Sequence, residues 1–290
     1  MKIRGCLLGV VIGVVLVTVI IWLVSGVDFS IKANKVGLIE IKGTITSSQE
    51  TLKQIKDFRK NSSIKAIVIR VDSPGGAVGP SQEIYREIQR TIRTKPVVAS
   101  MGSLAASGGY YISAAASHIV ANPGTITGSI GVIIHFPNME GLFGKIGYQM
   151  TTIKSGKFKD IGNPAREMTP EEKELLQATI DETYRQFVRD VALARHMPED
   201  DVRSVADGRI IMGEKALELK LVDQLGNFED AITKAGELGK IEGEPEVIEA
   251  KKTKHSLLDL VLGSDVSETM NDIVHDSSAY LGYQLPYFDR

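Results

Sequence analysis

Apolar and polar positions change rhythm several times along the 290-residue chain. From Cys6 to Val24 they do not alternate at all: CLLGVVIGVVLVTVIIWLV is an unbroken run, and nothing from Gly5 to Val27 is charged. A helix rises about 1.5 Å per residue and needs roughly 20 apolar residues to cross the hydrocarbon core, so residues 6–24 predict one transmembrane helix. Lys2 and Arg4 precede it and predict a cytoplasmic N-terminus, with Trp22 as an interfacial anchor. A cleaved signal peptide is the competing reading. Its apolar core is usually about 7–15 residues long and ends at a small-residue site, whereas SGVDFSIKANK follows here. Either reading delivers the rest of the chain out of the cytoplasm.

Beyond a short linker at 28–34 the rhythm becomes that of alternating strands and helices. KVGLIEI (35–41) is β-branched and alternating, a strand. SSQETLKQIKDFRKN (47–61) has helical spacing behind a serine cap. IKAIVIRVD (64–72) is almost continuously apolar, the pattern of a strand buried on both faces of a parallel sheet. SPGG reads as a loop, residues 79–93 as a second amphipathic helix and PVVASM (96–101) as a strand. A helix is predicted from Ser107 to Ala116, and strands at IVA (119–121), GVIIH (131–135) and YQMTTIK (148–154). Residues 167–195 predict one long helix with a threonine cap, Pro170 in its first turn and acids near its start. Strands and helices in alternation with short joints imply an α/β fold with a parallel sheet. The last 40 residues or so change character, from KKTK to YLGYQLPYFDR, and read as a peripheral tail.

Composition narrows the function. The chain is 43% hydrophobic and 24% charged, which is globular, and its net charge of −2 gives no electrostatic case for nucleic acid. A single cysteine, Cys6, excludes an internal disulfide framework, and five scattered histidines with no HxxxH pair give no metal site. No cofactor is implied.

Three segments carry candidate chemistry. Asp72-Ser73-Pro74-Gly75-Gly76 follows the buried strand, and its glycines permit a backbone that turns an N–H into a cleft. That is either an oxyanion-hole donor or an ordinary strand-to-helix turn. In Met101–Tyr111, Ser107 lies among small residues and precedes Gly108 and Gly109, as a nucleophile at a helix start requires; Ser107 as a plain helix N-cap fits equally. The G-x-S-x-G elbow is absent, since Ala105 holds its first position. Ile153–Asp160 sets three lysines around a glycine turn, either a solvated basic loop or the source of a lysine base. A lysine base must be neutral, which takes roughly 3–4 kcal/mol against the charged form, and an adjacent carboxylate such as Asp160 opposes it if it points the same way. The residues alone reach an extracytoplasmic α/β protein with a possible serine nucleophile, and no further.

Taken together, IVIRVDSPGG (67–76), VASMGSLAASGGYYIS (98–113), PGTITGSIGVI (123–133), TIKSGKFKDIGNPAREMT (152–169) and DGRIIMGEKALELKLVDQLG (207–226) resemble the short, single-domain form of the signal peptide peptidase A family. That family belongs to the ClpP/crotonase superfamily, and the resemblance runs from about Lys35 to Gly239. It implies a repeated ββα superhelix with parallel sheets over residues 35–249, behind the anchor at 1–27 and ahead of a tail at 250–290. It implies a membrane-bound serine endopeptidase that degrades remnant signal peptides, single-pass, with its catalytic domain outside the cytoplasm. By position, Ser107 matches the nucleophile, Lys159 the general base, Gly76 and Gly108 the oxyanion-hole amides, and Ser129 a hydroxyl that holds the lysine in place. Further implications are a homo-oligomeric ring, a dyad completed between neighbouring subunits, and extended apolar peptides bound by strand addition. Asp72 stands where asparagine is frequent and Lys220 where glycine is usual. Alternatives within and beyond this reading are a related protease acting on another membrane protein, an acyl-CoA enzyme of the crotonase type, and a catalytically silent scaffold.

Overall fold

The structure is a computed structural model describing residues 13, 15–17, 34–250 and 282–284. Contacts divide the chain into Met1–Ala33 and Asn34–Arg290. The predicted transmembrane run at 6–24 lies outside the described residues, apart from helical positions 13 and 15–17. Among the described residues no helix is long and apolar enough to cross a membrane.

From Asn34 onward the predicted α/β order is present. The elements are β1 (Lys35–Lys42), α1 (Gln49–Lys60), β2 (Ile64–Ser73), β3 (Gly75–Ala77), α2 (Val78–Thr91), β4 (Val97–Ala105), α3 (Gly108–Ala114), β5 (His118–Ala121) and β6 (Ile126–Gly128). They continue as α4 (Glu140–Lys145), α5 (Pro170–Arg195), α6 (Glu199–Arg203), β7 (Ile210–Met212), α7 (Gly213–Glu218), β8 (Gln224–Leu225), α8 (Phe228–Leu238), β9 (Glu246–Glu249) and β10 (Gly282–Gln284). The main sheet runs β9-β1-β2-β4-β5-β8, every pair parallel. Past Met101, β4 leaves β5 and pairs with β6 at Leu104, and β7 closes that smaller sheet antiparallel.

The apolar run in β2 is buried on both faces, as its pattern predicts. Ala66 and Val68 pack with Val36, Leu38 and Val98 against Ala231, Ile232 and Ala235 of α8. Ile67, Ile69 and Val71 face the opposite way, toward Ile55 and Phe58 of α1, Ile84 and Ile88 of α2, and Phe187 of α5. Each such fully buried isoleucine contributes roughly 1.5–3 kcal/mol of burial. Gly37 is required in β1 because a Cβ there would lie 2.4 Å from the Phe58 ring. Helix α5 begins as its sequence promises: Thr169 caps it, Pro170 is in its first turn, and Thr169 and Glu172 form a reciprocal capping box.

Two predicted strands are corrected. Residues 131–135 and 148–154 form no strand. Both suit a strand in residue type, but only a single bridge forms, at Ile133, and no ladder extends from it. The chain from 135 to 169 instead leaves the body as a surface excursion carrying α4, with Leu142, Ile146 and Ile153 exposed (Ile153 to 96%). The SPGG segment is also more ordered than a loop, since Gly75–Ala77 is the short strand β3.

Candidate active site

The site is assembled where β2, β4 and β6 end. At the end of β2 the Gly75 N–H donates to Ser73 Oγ at 3.1 Å and the chain turns into β3 through two positive φ angles, 105° at Gly75 and 157° at Gly76. One edge of β3 meets Ile45: the Ile45 N–H donates to Gly75 O at 2.7 Å and the Ala77 N–H to Ile45 O at 2.8 Å. A Cβ on Gly76 would lie 2.3 Å from that same carbonyl oxygen, so no other residue fits. Because successive peptide groups of a strand point to alternate edges, Gly76 turns its own N–H and C=O away from Ile45. On that edge lies β10, antiparallel, with Tyr283 opposite Gly76. The predicted peripheral tail therefore has a described segment on the peptide edge of the site; the rest of it lies outside the described residues.

Strand β4 ends in a sharp turn at Ser107, whose backbone takes φ 52° and ψ −116° before α3 begins. A non-glycine residue in this region is strained by about 1–3 kcal/mol and persists only when its surroundings over-determine it. Here they do. The Ala106 N–H donates to Ser73 O at 3.1 Å, the Ser107 N–H to Gly128 O at 2.8 Å, and Tyr111 N–H to Ser107 O at 2.8 Å. Gly109 lets the turn approach β2, since a Cβ on it would lie 2.7 Å from Ser73 O. The elbow absent as a motif is thus present as geometry. Ser107 is fully buried, and its Oγ has no hydrogen-bond partner among the described residues. Gly108 is the first residue of α3, so its N–H is one that a helix leaves without an intrahelical acceptor.

Strand β6 supplies the third wall. The Thr127 hydroxyl donates to Ala105 O at 2.6 Å, and Gly128, at φ 73°, accepts from Ser107. Buried Ser129 follows at φ 49°, its N–H donating to Arg209 O at 2.8 Å. Asp72 stays clear of the hydroxyl chemistry: its Oδ1 accepts the Leu104 N–H at 3.0 Å where the β2–β4 register shifts.

Backbone links thus bring Gly76, Ser107, Gly108 and Ser129 into one place. Lys159 is not brought to them. It lies on the surface excursion, its N–H donates to Gly156 O at 3.1 Å, and its side chain is exposed. The three lysines of that loop are nevertheless unlike. Lys154 pairs with Asp160 and donates to Lys157 O at 2.8 Å. Lys157 faces Glu171 at 3.6 Å and sits over the Phe158 ring at 5.3 Å. Asp160 is held by Arg166 and Lys154, which pull its carboxyl down to about 2. Sequence reading missed the parts played by Ser73, Thr127 and Gly128. The double glycine and the T-G-S triplet were the visible signals, but which atoms they approach is a tertiary fact.

A parallel α/β body with a strained serine at a strand-to-helix turn, at the N-terminus of the following helix, defines a serine hydrolase of the Clp type. The sequence profile of peptidase family S49 matches residues 89–242, and that of Clp protease matches residues 29–141. Protease 4 of Salmonella typhi is 37% identical over 233 residues, which span 75% of this chain and 38% of that one. The chloroplastic serine protease SPPA of Arabidopsis thaliana is 37% identical over 230 residues, 78% of this chain and 34% of that one. A candidate protease of Synechocystis sp. is 43% identical over 241 residues, 82% of this chain and 87% of that one. The chain belongs to peptidase family S49, the signal peptide peptidase A family, and is a serine peptidase.

Proposed function

We propose that the chain is a membrane-anchored serine endopeptidase with a Ser-Lys dyad, degrading remnant signal peptides outside the cytoplasm. Ser107 is the nucleophile, and the Gly76 and Gly108 amides receive the oxyanion. Lys159 is the general base, aimed by the Ser129 hydroxyl. The anchor is residues 6–24, with the N-terminus cytoplasmic. The observation that carries the reading is Ser107, a buried hydroxyl on a strained turn with no hydrogen-bond partner among the described residues. Leaving such a group unpaired costs about 1–3 kcal/mol, and a lysine amine is the partner this chemistry needs.

That amine comes from a second copy of the chain. Among the described residues of one copy the Ser107 hydroxyl has no hydrogen-bond partner, while Lys159 stands exposed on an excursion with apolar side chains that a neighbouring subunit would cover. Homo-oligomeric assembly, as a ring, follows from this reading. An extended substrate adds to the edge of β3 that Gly282–Gln284 occupies, displacing that segment, which suits apolar peptides without secondary structure of their own. Family S49 relatives include a protein of Enterococcus faecium designated a signal peptide peptidase, 38% identical over 221 residues.

The test is peptide-amide hydrolysis by the full chain in detergent, with Ser107→Ala and Lys159→Ala beside it. Each variant alone is inactive. Co-assembling the two restores part of the activity, because an intact Ser107 then meets an intact Lys159 across an interface. Full activity in Lys159→Ala sinks the base assignment. Two dead variants with no recovery on mixing sink the shared site.

A further inference from the structure

Resting on the reading of Lys159 as base, we propose that Arg166 is its positioning residue, setting both the place of the lysine loop and the charge beside it. The guanidinium is shared between two segments. Its Nε donates to Asp160 Oδ2 at 3.2 Å and its Nη2 to the Asp160 carbonyl oxygen at 3.2 Å. Toward α5 it forms a two-pronged pair with Glu172, Nη1 to Oε2 at 2.8 Å and Nη2 to Oε1 at 2.6 Å, and Nη1 also donates to Glu167 O at 3.0 Å. Every N–H of the fork is used. Glu172 is itself fixed, because it closes the capping box by accepting the Thr169 N–H at 2.9 Å. The residue next to Lys159 is therefore tied, by side chain and by backbone, to the start of a 26-residue helix.

The second consequence is electrostatic. The charged groups of this stretch are Lys154, Lys157 and Asp160 beside Lys159, Arg166 and Glu167 on the following turn, and Glu171, Glu172 and Lys173 at the start of α5. Three of the anions are engaged by three of the cations: Asp160 by Lys154 and Arg166, Glu172 by Arg166, Glu171 by Lys157. Lys159 is the one lysine of the loop outside these pairs. An uncommitted carboxylate beside it would favour the ammonium form, which cannot accept a proton. Arg166 keeps the Asp160 charge committed elsewhere. A lysine would not do the same, because a point charge cannot bridge two carboxylates and a carbonyl in fixed geometry.

The experiment follows kcat and KM across pH for the assembled full chain, with assembly checked by sedimentation. Arg166→Met lowers kcat with KM little changed. It moves the acidic limb of the profile upward by about one pH unit, read below that limb as about a tenfold loss. Asp160→Asn moves the limb the other way, because Lys154 then has no carboxylate and Arg166 keeps only Glu172. The double variant returns it close to wild type, and Arg166→Lys does not. An unchanged limb in Arg166→Met, or a double variant as displaced as the single one, overturns the proposal and leaves Arg166 a merely structural tie. Should Arg166→Met fail to assemble, Asp160→Asn alone decides, since a limb that does not move downward overturns it. Lys159→Ala, run in parallel, tests the underlying reading separately: activity surviving there removes the base, whatever Arg166 does.

Discussion

The strain at Ser107 can be measured as a reversal of sign. At an ordinary buried position glycine is less stable than alanine by about 0.5–1 kcal/mol, because its unfolded chain has more freedom to lose. At φ 52° and ψ −116° the alanine Cβ is held where L-residues are disfavoured, at about 1–3 kcal/mol, and glycine is released from that cost. The difference predicts Ser107→Gly more stable than Ser107→Ala by about 1 kcal/mol. Both variants lack the hydroxyl, so the unpaired Oγ and any contact from a neighbouring subunit cancel. For a body of this size the difference is about 2–4 °C in Tm, and urea midpoints at matched slope give it independently. Both variants are inactive in peptide hydrolysis. An alanine variant as stable as the glycine variant, or more so, refutes the argument that the site stores backbone strain.

Gly76→Ala places a Cβ 2.3 Å from Ile45 O; the strand must shift, and the proposed role of the Gly76 amide predicts a fall in kcat of about 10²–10³-fold, measured by steady-state kinetics with assembly confirmed. Lys220 sits at φ 59°, and Lys220→Gly should stabilise the fold by up to about 1 kcal/mol in urea titration, because the Arg195 fork holds the backbone carbonyl rather than the side chain. Lys95 is buried with its ammonium on Phe58 O and Asn61 O, and burial, with the Lys65 charge, lowers it to about 8. The unfolded chain then holds more protons than the folded one from about pH 8 to the ordinary lysine value of about 10.4. Its contribution to stability therefore rises with pH across that window, and Lys95→Met should flatten the rise in denaturation curves taken from pH 7 to 10.5.

The body of the fold was legible because its strands are buried on both faces. Residues 64–72 announce themselves by an unbroken apolar run, and the start of α5 by the Thr-Pro-Glu-Glu cap, where local chemistry decides the structure. Residues 131–135 and 148–154 show the limit. Residue type shows that a segment suits a strand, not that a neighbour is there to pair with it along its length. The site followed the same division. Ser107 and its glycines could be singled out from small residues at a predicted helix start, whereas the strained turn, the Gly128 contact and the orphaned hydroxyl arise from chain segments far apart in sequence. The Arg166 clamp was within reach as a run of opposite charges, but opposite charges in a loop usually mark a solvated face. Only their geometry shows a fork spanning two segments.

The strand formed by residues 282–284 has a kinetic meaning of its own. A peptide that adds to the same edge of β3 cannot dock on a vacant surface; it enters by exchange with a rival that belongs to the chain. That rival does not dilute when the protein does, so lowering the protein concentration never frees the edge. If the edge is open one part in a hundred, the apparent affinity for an incoming peptide is weakened about 100-fold relative to the intrinsic one. Selectivity then acquires a threshold: weak binders are turned away by occupancy alone, and only peptides that pair better than Gly282–Gln284 reach the serine.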